Sequence, residues 1–199
     1  MTKFSKLALC ALLIGAGAFT SCSDDDNDPV VAKPSIYTRL GGTTLVQDPD
    51  AAAGVMIEAG RLSYRKVVNK TVQLIVADIG SNTPGNLGAH FAPLLAEVGA
   101  GNTTNLARLT DNLTDFFSYN TGGTNAVNTY SGLDMVAAHN PAVNARMGVK
   151  ATNADYTKFE GYVGAAAQAN GVTANTVLYN DVVAVLESLR SPIVQAPTP

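Results

Sequence analysis

The chain has 199 residues, a formal net charge of -3, and 13 Lys and Arg against 16 Asp and Glu. The basic residues are scattered rather than clustered, so no positive stripe is offered to a phosphate backbone, which argues against nucleic acid as a partner. Both cysteines, Cys10 and Cys22, fall within the first 22 residues, leaving no thiol further on for nucleophilic catalysis or a cysteine-containing zinc site.

The chain opens MTKFSKLALCALLIGAGAFTSC, in which Lys3 and Lys6 precede an apolar run from Leu7 to Ala18 and then small residues. That pattern predicts a secretory signal over residues 1–21. The run is too short for a permanent membrane span. Phe19, Thr20, Ser21 and Cys22 resemble a bacterial lipobox, with phenylalanine where leucine is usual; the resemblance implies that Cys22 becomes the lipidated first residue and anchors the protein to a membrane. The following SDDDNDP cannot bury enough apolar surface to fold, so residues 22–34 read as a lipidated cysteine and a flexible acidic tether. A cysteine followed by serine and several acidic residues also resembles the export signal that carries some Gram-negative lipoproteins to the exterior face of the outer membrane. A calcium site is disfavoured there, since neither a glycine-centred loop nor a distal glutamate completes it.

One domain is expected over residues 35–195, with a disordered tail at 196–199. Val68, Val72, Ile75, Val76 and Ile79, with Tyr64 one turn earlier, predict a helix over about 61–79. Leu87, Phe91, Leu94, Leu95 and Val98 form a second apolar stripe, and Leu106, Leu109, Leu113, Phe116 and Phe117 a third. The glycines and asparagines of NTGGTNAVNTYSG then forbid a continuous helix. Within YSGLDMVAAHNP, Asp134 is suited to cap a helix of little more than one turn that places Met135 and His139 on one face. Tyr156, Phe159, Val163 and Ala166 predict a fourth long helix capped by Asn153; Leu178, Val182, Val185, Leu186 and Leu189 predict a fifth that ends before Pro192. No comparable alternating run is present, so the fold class is all-α.

Taken alone, a histidine closing a short helix is most often a cap stabilised by the helix dipole. Several ordered segments give this one another context. SIYTRLGG, VVNKTVQLIVAD, LARLTDNLTDFF followed by TGG, YSGLDMVAAH and the last helix together resemble the truncated haemoglobin family, in a group I-like form, over most of Ser35 to Val194. The resemblance implies a globin-like, two-over-two helical fold with insertions in the early and middle loops, namely between Gly42 and Val67 and between Asp78 and Leu106. A further extra segment, NPAVNARM, follows His139. It also implies haem (iron protoporphyrin IX) as cofactor and His139 as the proximal iron ligand, because neutral imidazole bonds iron while apolar walls exclude water. The wall candidates are Phe91, Leu109, Leu113, Phe116, Phe117, Met135, Met147, Tyr156 and Val163, each of which also suits an ordinary core. His90 has no such context and reads as a surface or packed residue, with a second axial ligand as the other reading.

The distal side departs from the family. Its Phe-Tyr pair in the B helix falls on Thr71 and Val72 in one register; in a second register Tyr64 takes the tyrosine position. Leu109 and Leu113 stand where relatives often have polar residues facing the iron, which favours carbon monoxide or nitric oxide over polarised bound oxygen. The expected function is a haem-binding lipoprotein that reversibly binds oxygen or another diatomic gas, or holds haem itself. The alternative is a haem-free, globin-derived helical surface lipoprotein acting as an interaction or structural module. Nitric oxide dioxygenation enters by resemblance only, and needs an electron donor that the chain does not contain. No Gly-x-Ser-x-Gly elbow occurs, and neither Ser81 nor Ser118 has a recognisable partner for hydrolysis.

Overall fold

The computed structural model describes residues 32–123 and 126–196, and from Lys33 onward they belong to one compact unit. The predicted signal, Cys22 and the tether to residue 31 lie outside the described residues, as do 197–199 of the predicted tail. In chain order the elements are α1 (Ile36–Arg39), β1 (Leu45–Gln47), β2 (Met56–Glu58), α2 (Ala59–Gly80), α3 (Gly88–Gly99), α4 (Thr104–Asn120), α5 (Met135–Ala138), α6 (Asn153–Ala169) and α7 (Val177–Ile193). The domain is all-α, with one small antiparallel hairpin.

Helix α2 is rich in β-branched residues, which are indifferent helix formers, so its stability rests on packing rather than propensity. Of its buried positions, Gly60, Tyr64, Val68, Thr71 and Ile75 recur every three or four residues and form one face, and Leu62 is buried beside them in the first turn. That face is placed between α4 and α6, while α7 packs on α6 and α3 on α4. The core cluster joins Tyr37, Tyr64, Phe117, Val163 and Leu186. Tyr64 stacks between Tyr37 and Phe117 at ring-centre distances of 6.4 and 5.9 Å, and Phe116 meets Phe117 edge-on at 5.5 Å. Each such pair adds about 0.5–1.5 kcal/mol to the burial of the rings.

Both glycine motifs converge on Tyr37. The Gly42 N–H donates to the Tyr37 carbonyl at 2.9 Å, and the Tyr37 N–H donates to the Thr121 carbonyl at 3.0 Å. Gly42 sits at φ 54° and Gly122 at φ 106°, left-handed conformations that favour glycine. A Cβ at Gly123 would lie 2.7 Å from the Ser118 carbonyl oxygen and 2.8 Å from the Tyr37 ring. The Tyr37 hydroxyl donates to Glu58, and Asn128 donates to both, at 3.0 and 2.8 Å. Burial, with Glu58 adding to it, pushes the Tyr37 hydroxyl up to about 12.

Three expectations need correction. The segment between Gly42 and α2 contains β1 and β2, paired Leu45 to Glu58, Val46 to Ile57 and Gln47 to Met56; three-residue strands are too short for alternation to register. Helix α6 is capped by Thr152 rather than Asn153, because the Thr152 side chain and Asp155 form a reciprocal capping box. Helix α7 runs through Pro192 to Ile193, the proline falling in the last turn, where it deprives only the Ser188 carbonyl of its helical partner and few residues follow. At the edge of the predicted tail, the Ala196 N–H donates to the Ala151 carbonyl at 3.0 Å.

Candidate functional site

A cavity of about 680 Å³ lies among α2, α3, α4, the α5 segment, α6 and α7, within the roughly 300–1,000 Å³ range of small-molecule and cofactor sites. It brings the sequence-predicted residues together. Helix α2 lines it with Tyr64, Thr71 and Val72, α3 with Phe91, and α4 with Leu109, Leu113, Phe116 and Phe117. Met135 and His139 line it from the α5 segment, Met147 from the chain that follows, and Tyr156 and Val163 from α6. Of these, Tyr64, Thr71, Phe117, Tyr156 and Val163 are buried, whereas Leu109, Leu113 and Phe116 are only partly covered by protein. Amphipathic helices would normally close such leucines into a core.

His139 is built from local sequence. Asp134 takes the N-cap of α5, its carboxylate accepting the Ala137 N–H at 2.9 Å. One turn later the chain leaves the helix at His139 with φ -105°. The ring turns back on that turn, and its Nδ1 lies 2.9 Å from the Met135 carbonyl oxygen. A carbonyl only accepts, so Nδ1 carries the proton and Nε2 keeps its lone pair. Burial lowers the pKa of His139, an effect partly opposed by the Met135 hydrogen bond and added to by His90. The ring is thus held as neutral imidazole, oriented in the way that metal-ligating histidines commonly are by a hydrogen bond from the other nitrogen.

The polar groups on the facing helices have partners of their own. The Tyr64 hydroxyl donates to Thr121 Oγ1 at 2.7 Å, and that hydroxyl donates to the Phe117 carbonyl at 2.7 Å. The proton that the second B-helix register would offer to a ligand is therefore committed to Thr121. Thr71 Oγ1 donates to the Val67 carbonyl at 2.9 Å, and the Tyr156 hydroxyl to the Leu186 carbonyl at 2.5 Å. Burial raises the pKa of both Tyr64 and Tyr156. Val72, Leu109 and Leu113 present hydrocarbon.

Two further residues line the cavity. His90 lines the cavity but is buried, with Nδ1 3.2 Å from the Val149 carbonyl oxygen and Nε2 3.2 Å from Asp155 Oδ2. With both ring nitrogens 3.2 Å from protein oxygens, it is a packed residue. The spacing of Leu87, His90 and Leu94, all buried, was the available signal of its inward position. Tyr130 lines the cavity as well, edge-on to Phe116 at 5.2 Å, its hydroxyl donating to the Leu133 carbonyl at 2.6 Å.

Among the described residues, no group of three or more His, Cys, Asp or Glu is arranged to hold a bare metal ion. A haem makes a smaller demand, since the porphyrin supplies the equatorial ligands and the chain one axial nitrogen. The apolar walls, the cavity volume and the lone pair on His139 Nε2 all fit that group. No described helix is long and apolar enough to cross a membrane. No protein-family profile, curated protein or solved structure matches the chain.

Proposed function

We propose that the domain is globin-like and holds haem in the 680 Å³ cavity, with His139 as proximal ligand, to bind a diatomic gas or to carry the haem itself. One observation carries this reading: the half-buried His139, its Nδ1 donating to Met135, lies on the wall of an apolar cavity of cofactor size. Bound haem would supply an open coordination position for a gas. The chain's own residues hold the imidazole neutral and oriented, and the walls exclude water. Phe116, Phe117, Met135 and Met147, all lining the cavity, are the apolar side chains available to contact a porphyrin. Tethering through a lipid on Cys22, at the outer membrane and facing the exterior, belongs to the same proposal.

Adding hemin to the purified protein and to His139→Ala tests it. A sharp Soret band in the wild type that is lost or strongly shifted in the variant is the expected result. Equal, weak uptake with one spectrum for both proteins would sink the haem reading. It would leave the haem-free surface module, which the exposed Leu133, Val136 and Val143 around α5 favour as a contact surface.

A further inference from the structure

The chain that leaves His139 does not hang free; residues 140–152 form a strap that docks on α3. Pro93 lies inside α3 and has no N–H, so the Ala89 carbonyl loses its helical partner. Gly148 enters beside it. Its N–H donates to the His90 carbonyl at 2.8 Å, and a Cβ there would fall 2.0 Å from the Ala89 oxygen, so only glycine lets the strap lie this close. The His90 ring fastens the same contact from inside: Nδ1 faces the Val149 carbonyl and Nε2 faces Asp155, each at 3.2 Å. Asp155 in turn accepts from the Thr152 N–H at 2.8 Å and the Thr152 hydroxyl at 2.6 Å, closing the cap of α6. One ring, 7% exposed, thus joins α3, the strap and α6.

The other end of the strap is fixed next to the ligand. Asn144 Nδ2 donates to the Ala138 carbonyl at 2.8 Å, and Gln195 Nε2 donates to the Val136 carbonyl at 2.8 Å. The position of His139 therefore depends on a segment pinned at both ends, and His90 is the side chain that pins the far one. α3 lies within the long stretch between Asp78 and Leu106, and the strap begins with the extra segment NPAVNARM.

We infer that His90 is a positioning residue for iron ligation: by clasping residues 148–155 to α3, it fixes the seat of His139 without touching the metal. The inference rests on the haem reading. A neutral imidazole carries one N–H and serves one of the two acceptors; an imidazolium serves both. Replacement should therefore act in steps. His90→Phe keeps a ring in the place of the imidazole and loses every hydrogen bond it makes, and His90→Gln keeps an amide N–H for one acceptor.

The test uses the whole protein loaded with hemin, and reads two quantities. These are the iron–histidine stretching band of the reduced form and the rate of hemin transfer to an excess of a haem scavenger. Loss of a partner that orients a metal-ligating histidine commonly weakens binding by about 10–100-fold. His90→Phe is expected to shift or broaden the band and to speed hemin loss by about tenfold or more, with His90→Gln in between. Far-UV circular dichroism checks that the variants are folded, and if His90→Phe is not, His90→Gln decides. Folded variants with the wild-type band and the wild-type rate would overturn the role of His90. A His139→Ala protein that keeps the wild-type band would instead overturn the haem reading beneath it.

Discussion

The Met135 carbonyl decides which nitrogen of His139 is left with a lone pair, and that choice was partly legible in the sequence. A methionine and a histidine four residues apart behind Asp134 predict a short helix with both on one face; the helix turn then supplies the acceptor. The distal side was legible in residue type but not in bonding. Sequence placed Tyr64 on the inner face of α2, yet its hydroxyl partner is Thr121, 57 positions away, and only folding brings the two together. With Tyr64 and Thr71 committed and Val72, Leu109 and Leu113 apolar, oxygen bound as proposed would receive no side-chain proton from these positions. Leu113→Gln places an amide donor on the α4 wall. A hydrogen bond to a charged acceptor is worth about 1.5 kcal/mol at the lower end, so oxygen release from the haem-loaded variant should slow by about tenfold. Carbon monoxide, which polarises less, should leave at nearly the wild-type rate. Equal slowing of both gases in stopped-flow measurements would mean that the substitution acts by narrowing the exit and not by donating a proton.

At the scale of elements, the long helices were readable because each carries an apolar stripe over several turns, whereas the hairpin and the strap were not. β1 and β2 have three residues each, and the strap owes its path to the bonds of His90 with Gly148 and Val149, which join positions more than 50 residues apart. The start of α6 shows how a one-residue error arises. Asn153 and Thr152 are both good caps, and the choice falls to Thr152 because Asp155 stands three residues later and returns a hydrogen bond to the cap. Thr152→Ala should therefore destabilise the protein by about 1 kcal/mol, the usual cost of losing such a cap. Urea denaturation followed by circular dichroism measures it. Asn153→Ala is the matched control and should move the midpoint little; if the two variants fall equally, the box is not the determinant. Since Asp155 also receives His90, the Thr152 variant should loosen the strap as well, and hemin loss should quicken with it.

For the whole molecule, acid sensitivity separates the cavity from the scaffold. Burial lowers the pKa of His139 below that of the same residue in the unfolded chain, about 6.5. In the hemin-free protein the unfolded state therefore binds the proton first, and stability falls as the pH drops from about 6.5 through the lowered folded value. Asp48, Asp155, Asp181 and Glu187 act at lower pH. Their pKa values are also depressed, by Arg65, by the α6 cap, by Lys33 with Arg39, and by Arg190 respectively. Asp78, bonded by Tyr162 and Lys158, is held at about 2. The contributions of these carboxylates are complete above their unfolded values, near 4, and are lost as the pH falls through the folded ones. Glu160 has the opposite sign: burial raises its pKa, so the folded state takes up its proton first and loses less on acidification. The stability of the hemin-free protein against pH should then decline in two windows, one below about 6.5 and one below about 4. His139→Ala should remove its share of the first window and leave the second intact. Urea midpoints of both proteins measured from pH 8 to pH 3 distinguish the cases. If the variant and the wild type decline in parallel above pH 5, His139 is not held neutral by the fold, and the ligand side of the cavity loses its main physical support.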